Sequence, residues 1–322
     1  MIFPLPAIAC LAAAQFCLPG GAFAELAITT CGEQAFQAET AVGLSGLTWA
    51  GGDRFYAVSD RSGIVPVTLR IDPASGRILD GAVGAAWMPP TDLRDFEGIA
   101  WHAPSARLFV SAEQGPGIDS FTLDRRQAGR VALPGIFRKS RTNLSLESLT
   151  ISPSGNRLWT ANEEALLVDG PLADAKQGTL VRLQEFSAGC RPLRQFAWRT
   201  ESAAMRLQGS GSGVADLCAL PGGKLLVLER GFGLLSLRCR IFLADFSSAT
   251  DTSPLPSLEA NSVRVAGKTL LMDKATGKKN YEGIALGPAL RGGGRSLILV
   301  ADSGDGLRHV FLALRISGLP AE

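Results

Sequence analysis

The chain is short of the groups that most often carry nucleophilic or acid-base catalysis. It has only two histidines, His102 and His309, and neither lies in a recognisable motif. It has no Gly-x-Ser-x-Gly segment, which excludes the nucleophilic serine turn of an α/β-hydrolase. The glycine-rich segment 209–213 is followed by no Gly-Lys-Ser/Thr, which excludes a phosphate-binding P-loop. We therefore expect both histidines to be structural residues within strands.

Charge and helical periodicity are also scarce. Charged residues make up 19% of the 322 residues and the formal net charge is +2, with no stripe of Lys or Arg beside aromatic residues. We therefore expect no nucleic-acid partner. Amphipathic helical periodicity is rare, which argues against a Rossmann-type or α/β fold. The 37 glycines and 18 prolines instead favour a turn-rich β protein.

The first 24 residues contain no charged side chain. An apolar run extends from about Leu5 to Leu18, and the segment ends in Ala-Phe-Ala at 22–24, which is typical of a signal-peptide cleavage site. The run is shorter than the roughly 20 residues that a membrane-spanning helix needs. We predict a signal peptide over residues 1–24, a mature chain that begins at Glu25 and has no membrane span, and a periplasmic or secreted location.

One phrase recurs along the rest of the chain. Its clearest copy is Asp-Phe-Glu-Gly-Ile-Ala-Trp at 95–101, followed by Phe-Val-Ser-Ala-Glu at 109–113. Aligned on Glu97, the copies are separated by 52, 50, 68 and 67 residues, and the residues that correspond to Glu97 are Ser45, Glu147, Ala215 and Glu282. Each copy combines two short apolar strands with a Pro, Gly or Asn turn. A period near 50 residues with this content is typical of a β-propeller.

We predict an all-β propeller that occupies residues 25–322 as a single domain. Five repeats are visible, but about 298 mature residues at 45–50 per blade favour six blades over five. The two longest intervals are where a degenerate blade would lie. Strands near 27–30 and 309–316 are expected to pair and close the ring, which removes open sheet edges.

Four cysteines follow the predicted signal peptide: Cys31, Cys190, Cys218 and Cys239. An even number in an exported protein allows two disulfides, in three pairings between which the sequence does not decide. Their spacing matches no zinc-binding pattern. Because Cys218 and Cys239 are expected in the first and third strands of one blade, we do not expect a bond between these two.

Every repeat places a carboxylate at the end of its second strand, and three repeats place another at the start of the first. The first group is Asp60, Glu113, Glu163, Glu229 and Asp302, and the second is Glu97, Glu147 and Glu282. The innermost strands of a propeller line its central channel, so equivalent positions form rings. Crowded carboxylates need a cation or protons to neutralise them. We predict that these residues bind a metal ion, with Ca²⁺ favoured over Mg²⁺ or Mn²⁺; the alternative is that they only cap backbone turns.

Four segments from the repeats together resemble the exported "esterase-like activity of phytase" family, and the resemblance extends from about Gly43 to Arg315. They are Glu-Gly-Ile-Ala at 97–100, Leu-Glu-Ser-Leu-Thr-Ile-Ser-Pro-Ser-Gly at 146–155, Leu-Val-Leu-Glu-Arg-Gly-Phe at 226–232 and Asn-Tyr-Glu-Gly-Ile-Ala at 280–285. The middle repeat is also similar to the calcium-dependent β-propeller phytases. This resemblance implies channel-mouth calcium, with Glu147, Glu163 and Glu164 as ligands, and hydrolysis of phosphate monoesters by a metal-activated water. The aspartate-rich calcium runs of those phytases are absent here, and Ser148 stands where the phrase has Gly.

We therefore predict a monomeric, exported hydrolase that binds calcium and acts on a phosphate ester of a small molecule. Phosphate hydrolysis needs cations that hold the transferred group, and the candidates are Arg230, Arg61 and Lys279. Three alternatives stay open: a lactonase-like or sugar-ester hydrolase with a divalent ion, a non-catalytic periplasmic ligand-binding propeller, and an interaction module whose acids serve only the turns.

Overall fold

A computed structural model describes residues 25–38, 40–205, 211–232, 236–259, 263–302 and 306–320. The predicted signal peptide lies outside these ranges. Within them no helix is long and apolar enough to cross a membrane. The strands are β1 (Ala27–Gln37), β2 (Leu47–Trp49), β3 (Arg54–Ser59), β4 (Gly63–Ile71), β5 (Ile78–Val83), β6 (Arg94–His102), β7 (Arg107–Gln114), β8 (Gly117–Thr122), β9 (Gln127–Arg130), β10 (Leu146–Ile151), β11 (Arg157–Asn162), β12 (Leu180–Ser187), β13 (Pro192–Arg199), β14 (Ser212–Ala219), β15 (Leu225–Phe232), β16 (Leu237–Asp245), β17 (Gly267–Gly277), β18 (Asn280–Ala289), β19 (Arg295–Asp302) and β20 (Arg308–Ser317).

These strands form five antiparallel four-stranded sheets, which are the blades of a propeller. Blade 1 is β2–β5, blade 2 is β6–β9, blade 3 is β10–β13 and blade 4 is β14–β17. Blade 5 consists of β18, β19 and β20, with β1 as its outermost strand. The first strands of neighbouring blades contact one another in a closed ring: β2, β6, β10, β14, β18 and back to β2. The all-β propeller prediction is confirmed.

The prediction of six blades was wrong. In the part of the chain that the structure describes, the long intervals between the later repeats contain loops and no sixth sheet. The loop after β16 packs along the outer strand of blade 3, where Thr252 N donates to Gln195 O (2.7 Å) and Ala266 N donates to Ala197 O (2.8 Å). Because this loop satisfies its backbone groups against an existing blade, it lengthens the repeat without adding a blade.

The ring closes as predicted, through pairing of the N-terminal strand with the C-terminal strand. The antiparallel register of β1 and β20 runs from Ala27 opposite Ser317 to Gln37 opposite Arg308. Blade 5 therefore takes strands from both ends of the described chain. β1 completes the four-stranded sheet of blade 5 and is followed in the chain by β2 of blade 1. The chain therefore links the first and last blades directly.

Five hydrophobic clusters fill the spaces between neighbouring blades. One cluster, for example, joins Phe55 and Val65 of blade 1 to Ile298 and Phe311 of blade 5, and all four side chains are buried. The other four interfaces are packed in the same way. The core is thus distributed around the ring, as in a propeller whose blades bury both faces.

The four cysteines after the predicted signal peptide are all described, and none forms a disulfide. Cys218 and Cys239 lie in the first and third strands of blade 4, as expected, with β15 between them. Both are buried, so each behaves as a small apolar core residue.

Glycines let the inner strands approach one another too closely for side chains. A Cβ atom on Gly98 would lie 2.5 Å from Leu149 N, and one on Gly283 would lie 2.7 Å from Ser45 O. Both glycines directly follow the glutamate of the repeated phrase. In blades 2 and 5 the glycine of that phrase is therefore required by close packing between blades, while the glutamate is not.

Asp216 occupies the glycine position of the phrase in blade 4. Its carboxylate accepts hydrogen bonds from Leu149 N of blade 3 (3.4 Å) and from Ile284 N of blade 5 (2.8 Å). The side chain is buried. It therefore ties the inner strands of three neighbouring blades together.

Candidate metal centre at one channel mouth

A β-bulge in the first strand of each of three blades positions a glutamate. The strand pairing shifts register between Phe96 and Ile99 in blade 2, which leaves Glu97 without an opposite residue. The same shift occurs at Glu147 in blade 3 and at Glu282 in blade 5. An extra residue in a bulge re-aims its side chain away from the sheet. The repeated Glu-Gly phrase is thus a bulge residue followed by a close-contact residue.

Two groups of carboxylates meet at this mouth of the channel. Oxygens of Asp95, Glu97 and Glu113 lie within 4.8 Å of one another, and so do oxygens of Glu113, Glu147 and Glu163. The two groups share Glu113 and therefore form one cluster of five acids. The second group is wholly buried. We call this cluster, together with Glu282 and Arg230, the acid mouth.

Arg230 of β15 lies among the carboxylates. Its Nη2 is 2.6 Å from Glu163 Oε1, its Nη1 is 2.5 Å from Glu282 Oε1, and its Nη2 is 3.8 Å from Glu147 Oε1. Only 14% of the side chain is exposed. Blade 4, which supplies this arginine, is the blade that has Ala215 at the bulge position instead of glutamate. The guanidinium therefore comes from the same blade whose bulge lacks an acid.

Burial and crowding raise the pKa of several acids in the cluster and so favour their protonated forms. Burial raises the pKa of Glu97 and of Glu147 well above the usual value, and neighbouring carboxylates raise both further. Burial also raises the pKa of Glu113 to about 7, against the hydrogen bond from Ser145 N and the attraction of Arg230. One arginine does not neutralise this many acids, so the mouth favours an added cation or protons.

Contacts with the same carboxylates raise the pKa of Arg230. Desolvation lowers the pKa of Arg230, but the carboxylates of Glu163, Glu147 and Glu282 outweigh it and hold the pKa above its usual value. The guanidinium is therefore a permanent positive charge in the mouth.

A family model described as "Phytase-like: Esterase-like activity of phytase" matches residues 39–304, which include all five inner strands and the acid mouth. The chain belongs to this phytase-like family. The resemblance inferred from the repeated phrases is thereby confirmed. No curated protein matches the chain.

The solved structures similar to this phytase-like propeller are distant. A member of the duf4221 family from Bacteroides vulgatus has 8% identity and a TM-score of 0.45, with 91% of this chain and 99% of that chain covered. A chain of hydrazine synthase from Kuenenia stuttgartiensis has 9% identity and a TM-score of 0.40, with 82% and 57% covered. A chain of a nidogen/laminin complex has 11% identity and a TM-score of 0.39, with 84% and 89% covered. This chain thus spans 57% of the hydrazine synthase chain, and none of the three similarities carries a functional argument.

The structure brings together four of the predicted metal ligands of this phytase-like chain, with a fifth close by. Glu97, Glu113, Glu147 and Glu163 belong to the cluster, and Glu282 joins it through Arg230. The sequence reasoning missed Asp95, which opens the clearest copy of the phrase two residues before Glu97. Its counterparts in blades 3 and 5 are polar as well, which is the signal that could have identified the position.

Asp60 and Arg61 lie at the edge of the acid mouth. Burial raises the pKa of Asp60, and the charge of Asp95 raises it further, which places the two carboxylates near each other. Asp60 Oδ1 is buried and has no hydrogen-bond partner among the described residues. Arg61 pairs with Asp60 at 3.3 Å, but 74% of its side chain is exposed and it forms no ion pair with the buried acids in the described ranges.

Of three other predicted residues, two have partners outside the acid mouth. Glu229 accepts hydrogen bonds from Trp198 Nε1 (2.7 Å) and Glu201 N (2.9 Å), so it is a buried acid of blade 4 outside the cluster. Lys279 pairs with Glu33 of β1 at 2.5 Å, which fastens the closing strand. Asp302 ends β19, and its side chain is outside the described part of the chain.

Glu164 and the histidines also have structural partners in this phytase-like propeller. Glu164 accepts hydrogen bonds from Gly211 N (2.9 Å) and Ala173 N (3.2 Å). His309 Nε2 is 3.0 Å from Ala41 O, and His102 Nε2 is 3.1 Å from Gly155 O. Both histidines lie in strands, as expected, and neither reaches the acid mouth.

Proposed function

We propose that this phytase-like propeller is an exported hydrolase that binds a divalent cation at the acid mouth and cleaves a phosphate ester. The observation that supports this most is the joined cluster of five carboxylates, in which each group of three places its oxygens within 4.8 Å. The family description, esterase-like activity of phytase, supports hydrolysis as the reaction class.

The ligand atoms of the acid mouth suit a hard cation. Ca²⁺ accepts roughly six to eight oxygen ligands in flexible geometry, whereas Mg²⁺ demands a near-ideal octahedron. Glu113, Glu147 and Glu163 form the wholly buried group and would hold the ion. Ser145 Oγ, directly before β10, and Asn280 Oδ1, at the start of β18, are buried atoms with no hydrogen-bond partner in the described part of the chain. This set favours Ca²⁺, with Mg²⁺ and Mn²⁺ as weaker candidates.

Bound there, such a cation would lower the pKa of a water molecule and polarise a phosphoryl oxygen. The chain's own part is to bind and orient the substrate. Glu282 Oε1 accepts hydrogen bonds from Arg230 Nη1 (2.5 Å) and from Asn280 Nδ2 (2.5 Å), which fixes the guanidinium plane. A planar guanidinium binds phosphate oxygens in pairs, and burial strengthens that contact.

The small number of cations at the mouth limits the substrate. Arg230 is the one arginine that the described residues place among the buried acids, and Arg61 lies at the exposed edge. Lys279 is paired with Glu33. Two cations suit an ester with one phosphate group better than a substrate with many phosphates. The same scarcity of cations favours an uncharged lactone or sugar ester as the second candidate.

We also propose that the protein acts as a monomer in the periplasm or outside the cell. The predicted signal peptide over residues 1–24 supports export. The closed ring, in which β1 completes blade 5, supports a propeller that needs no second chain to finish a sheet.

Hydrolysis of p-nitrophenyl phosphate by the mature protein tests the reaction. We expect activity that EGTA abolishes and added Ca²⁺ restores, and that Glu147→Gln reduces by at least about 100-fold, because one of the three closest ligands loses its charge. Glu185→Gln is the matched control, since Glu185 pairs with Arg157 and Arg194 on blade 3, away from the mouth.

The same assay on a lactone and on p-nitrophenyl acetate separates the two candidate substrates. Calcium-dependent turnover of the lactone without turnover of the phosphate would replace the first proposal by the second. No turnover of any substrate, with Ca²⁺ still bound, would leave a ligand-binding propeller as the better account.

A further inference from the structure

A second cavity lies at the opposite end of the propeller. It has a volume of about 270 Å³ and is lined by the ends of the inner strands of all five blades. Its lining residues lie at the C-terminal ends of the inner strands, whereas Glu97, Glu147 and Glu282 lie near the N-terminal ends. We call it the far mouth. Among the described residues no carboxylate lines it, in contrast to the acid mouth.

The walls of the far mouth combine aromatic and aliphatic side chains with polar groups. Trp49 of blade 1 and Trp101 of blade 2 are half-buried and line it, with aliphatic neighbours such as Ile99, Ile284 and Leu286. A concave cavity in which apolar side chains give contact area and a few polar groups fix orientation is the usual form of a small-molecule site. Two indole rings at its edge suit a flat, apolar ligand.

The polar groups of the far mouth are hydrogen-bond donors. Arg295 of blade 5 is the one charged side chain among the described residues that line it, and its guanidinium lies 5.2 Å from the centre of the Trp49 ring. Thr48 Oγ1 accepts a hydrogen bond from Trp101 N, and Thr150 Oγ1 accepts one from Ala219 N, both at 3.0 Å. In the described part of the chain neither hydroxyl donates, so both O–H groups can bind an acceptor on a ligand.

We propose that the far mouth binds a small planar aromatic carboxylate. The rings supply apolar contact for the flat body, and Arg295 with the two threonine hydroxyls supplies donors for the carboxylate. A cavity of about 150 Å³ holds benzene, so this cavity holds a molecule of one or two fused rings. The site is independent of the hydrolase proposal, because no residue of the acid mouth lines it.

Titration of the mature protein with 2-naphthoate, followed by tryptophan fluorescence and calorimetry, tests this proposal. We expect one saturable site with a Kd below about 1 mM. The uncharged isostere 2-naphthamide should bind more weakly by about tenfold or more, because it lacks the charge that Arg295 recognises. EGTA and Glu147→Gln should leave the naphthoate affinity unchanged.

Variants separate the charge of Arg295 from its role in the fold. Arg295→Gln should weaken naphthoate about tenfold while naphthamide changes less than about twofold, and Trp49→Phe should weaken both. Because Arg295 Nε also donates to Gly287 O (2.9 Å), Arg295→Lys keeps the charge as a check on folding and should retain the preference for naphthoate. Arg70→Gln, an exposed arginine of β4, is the control.

The proposal is overturned by absence of saturation up to a few millimolar naphthoate. Equal affinity for naphthoate and naphthamide would overturn it as well, as would an Arg295→Gln variant that melts normally and still prefers naphthoate.

Discussion

At the scale of single residues, Arg230 holds the acid mouth together. Its guanidinium contacts carboxylates of blades 3 and 5 while it belongs to blade 4. Without a metal it is the positive charge that offsets part of their repulsion. A divalent cation at the same carboxylates would compete with it, and the guanidinium would then be available for a substrate phosphate.

Arg230→Gln should therefore affect stability and cation affinity in opposite directions. In EGTA we expect the free energy of unfolding in urea to fall by about 3 kcal/mol or more, because buried carboxylates lose their partner. The Ca²⁺ affinity should rise, because the competing charge is gone, while phosphatase activity is lost.

Arg157→Gln is the matched control for this substitution. Arg157 is 46% exposed and pairs with Glu185, so its loss should change the unfolding free energy by less than about 1 kcal/mol. A lower Ca²⁺ affinity in Arg230→Gln than in the wild type would show that Arg230 positions the ligands and does not compete for them.

At the scale of single elements, the Glu-Gly phrase combines two separate requirements. The bulge aims the glutamate at the channel, and the glycine lets the next inner strand approach. The first requirement concerns function, and the second concerns assembly of the ring. The phrase can therefore lose its acid in one blade, as at Ala215, without loss of the strand.

Gly98→Ala tests the assembly requirement. An added Cβ would lie 2.5 Å from Leu149 N and 2.6 Å from Ser111 Oγ, so the inner strands of blades 2 and 3 must separate. We expect a loss of about 2 kcal/mol or more in unfolding free energy, measured in urea. Gly129→Ala in the same blade meets only Ser120 Oγ at 3.6 Å and should be nearly neutral. Equal stability of the two variants would contradict the packing argument.

The strands and the ring closure could be predicted from the sequence because they depend on local patterns. Alternating apolar residues and a repeated phrase indicated the blades, and the strands at the two ends were paired correctly. The number of blades could not be predicted from chain length. The loop between β16 and β17 is long enough to be mistaken for strands of a further blade, but it packs on blade 3. Glu147 and Glu229 are both acids of the repeated phrase. Only tertiary contacts decide that Glu229 accepts a hydrogen bond from Trp198 while Glu147 joins the carboxylate cluster.

At the scale of the whole molecule, the propeller has two ends of different chemistry. One end gathers acids, and the other combines aromatic, aliphatic and polar groups with one arginine among the described residues that line it. The two groups lie at opposite ends of the inner strands. Because the acids come from several blades, cation binding at their mouth should stabilise the entire ring and not one blade alone.

The metal-free protein should become less stable as the pH rises from about 4.5 to 7. The folded state raises the pKa of Glu113 from about 4.5 to about 7, so it binds this proton more tightly than the unfolded chain does. Stability from such a group is present below the unfolded pKa and is lost as the pH rises through the folded pKa. Melting temperatures in EGTA across this range provide the measurement. Saturating Ca²⁺ should flatten or reverse this dependence of melting temperature on pH. A metal-free protein whose melting temperature rises with pH would contradict the prediction.

Calorimetric titration of Ca²⁺ into the EGTA-treated, dialysed protein at pH 7.5 tests the central claim, a cation site at the acid mouth, most directly. The account predicts saturable binding and a raised melting temperature, both lost in Glu147→Gln and Glu163→Gln and both retained in Glu185→Gln. Absence of binding in the wild type, or binding of equal affinity in all three variants, would contradict it.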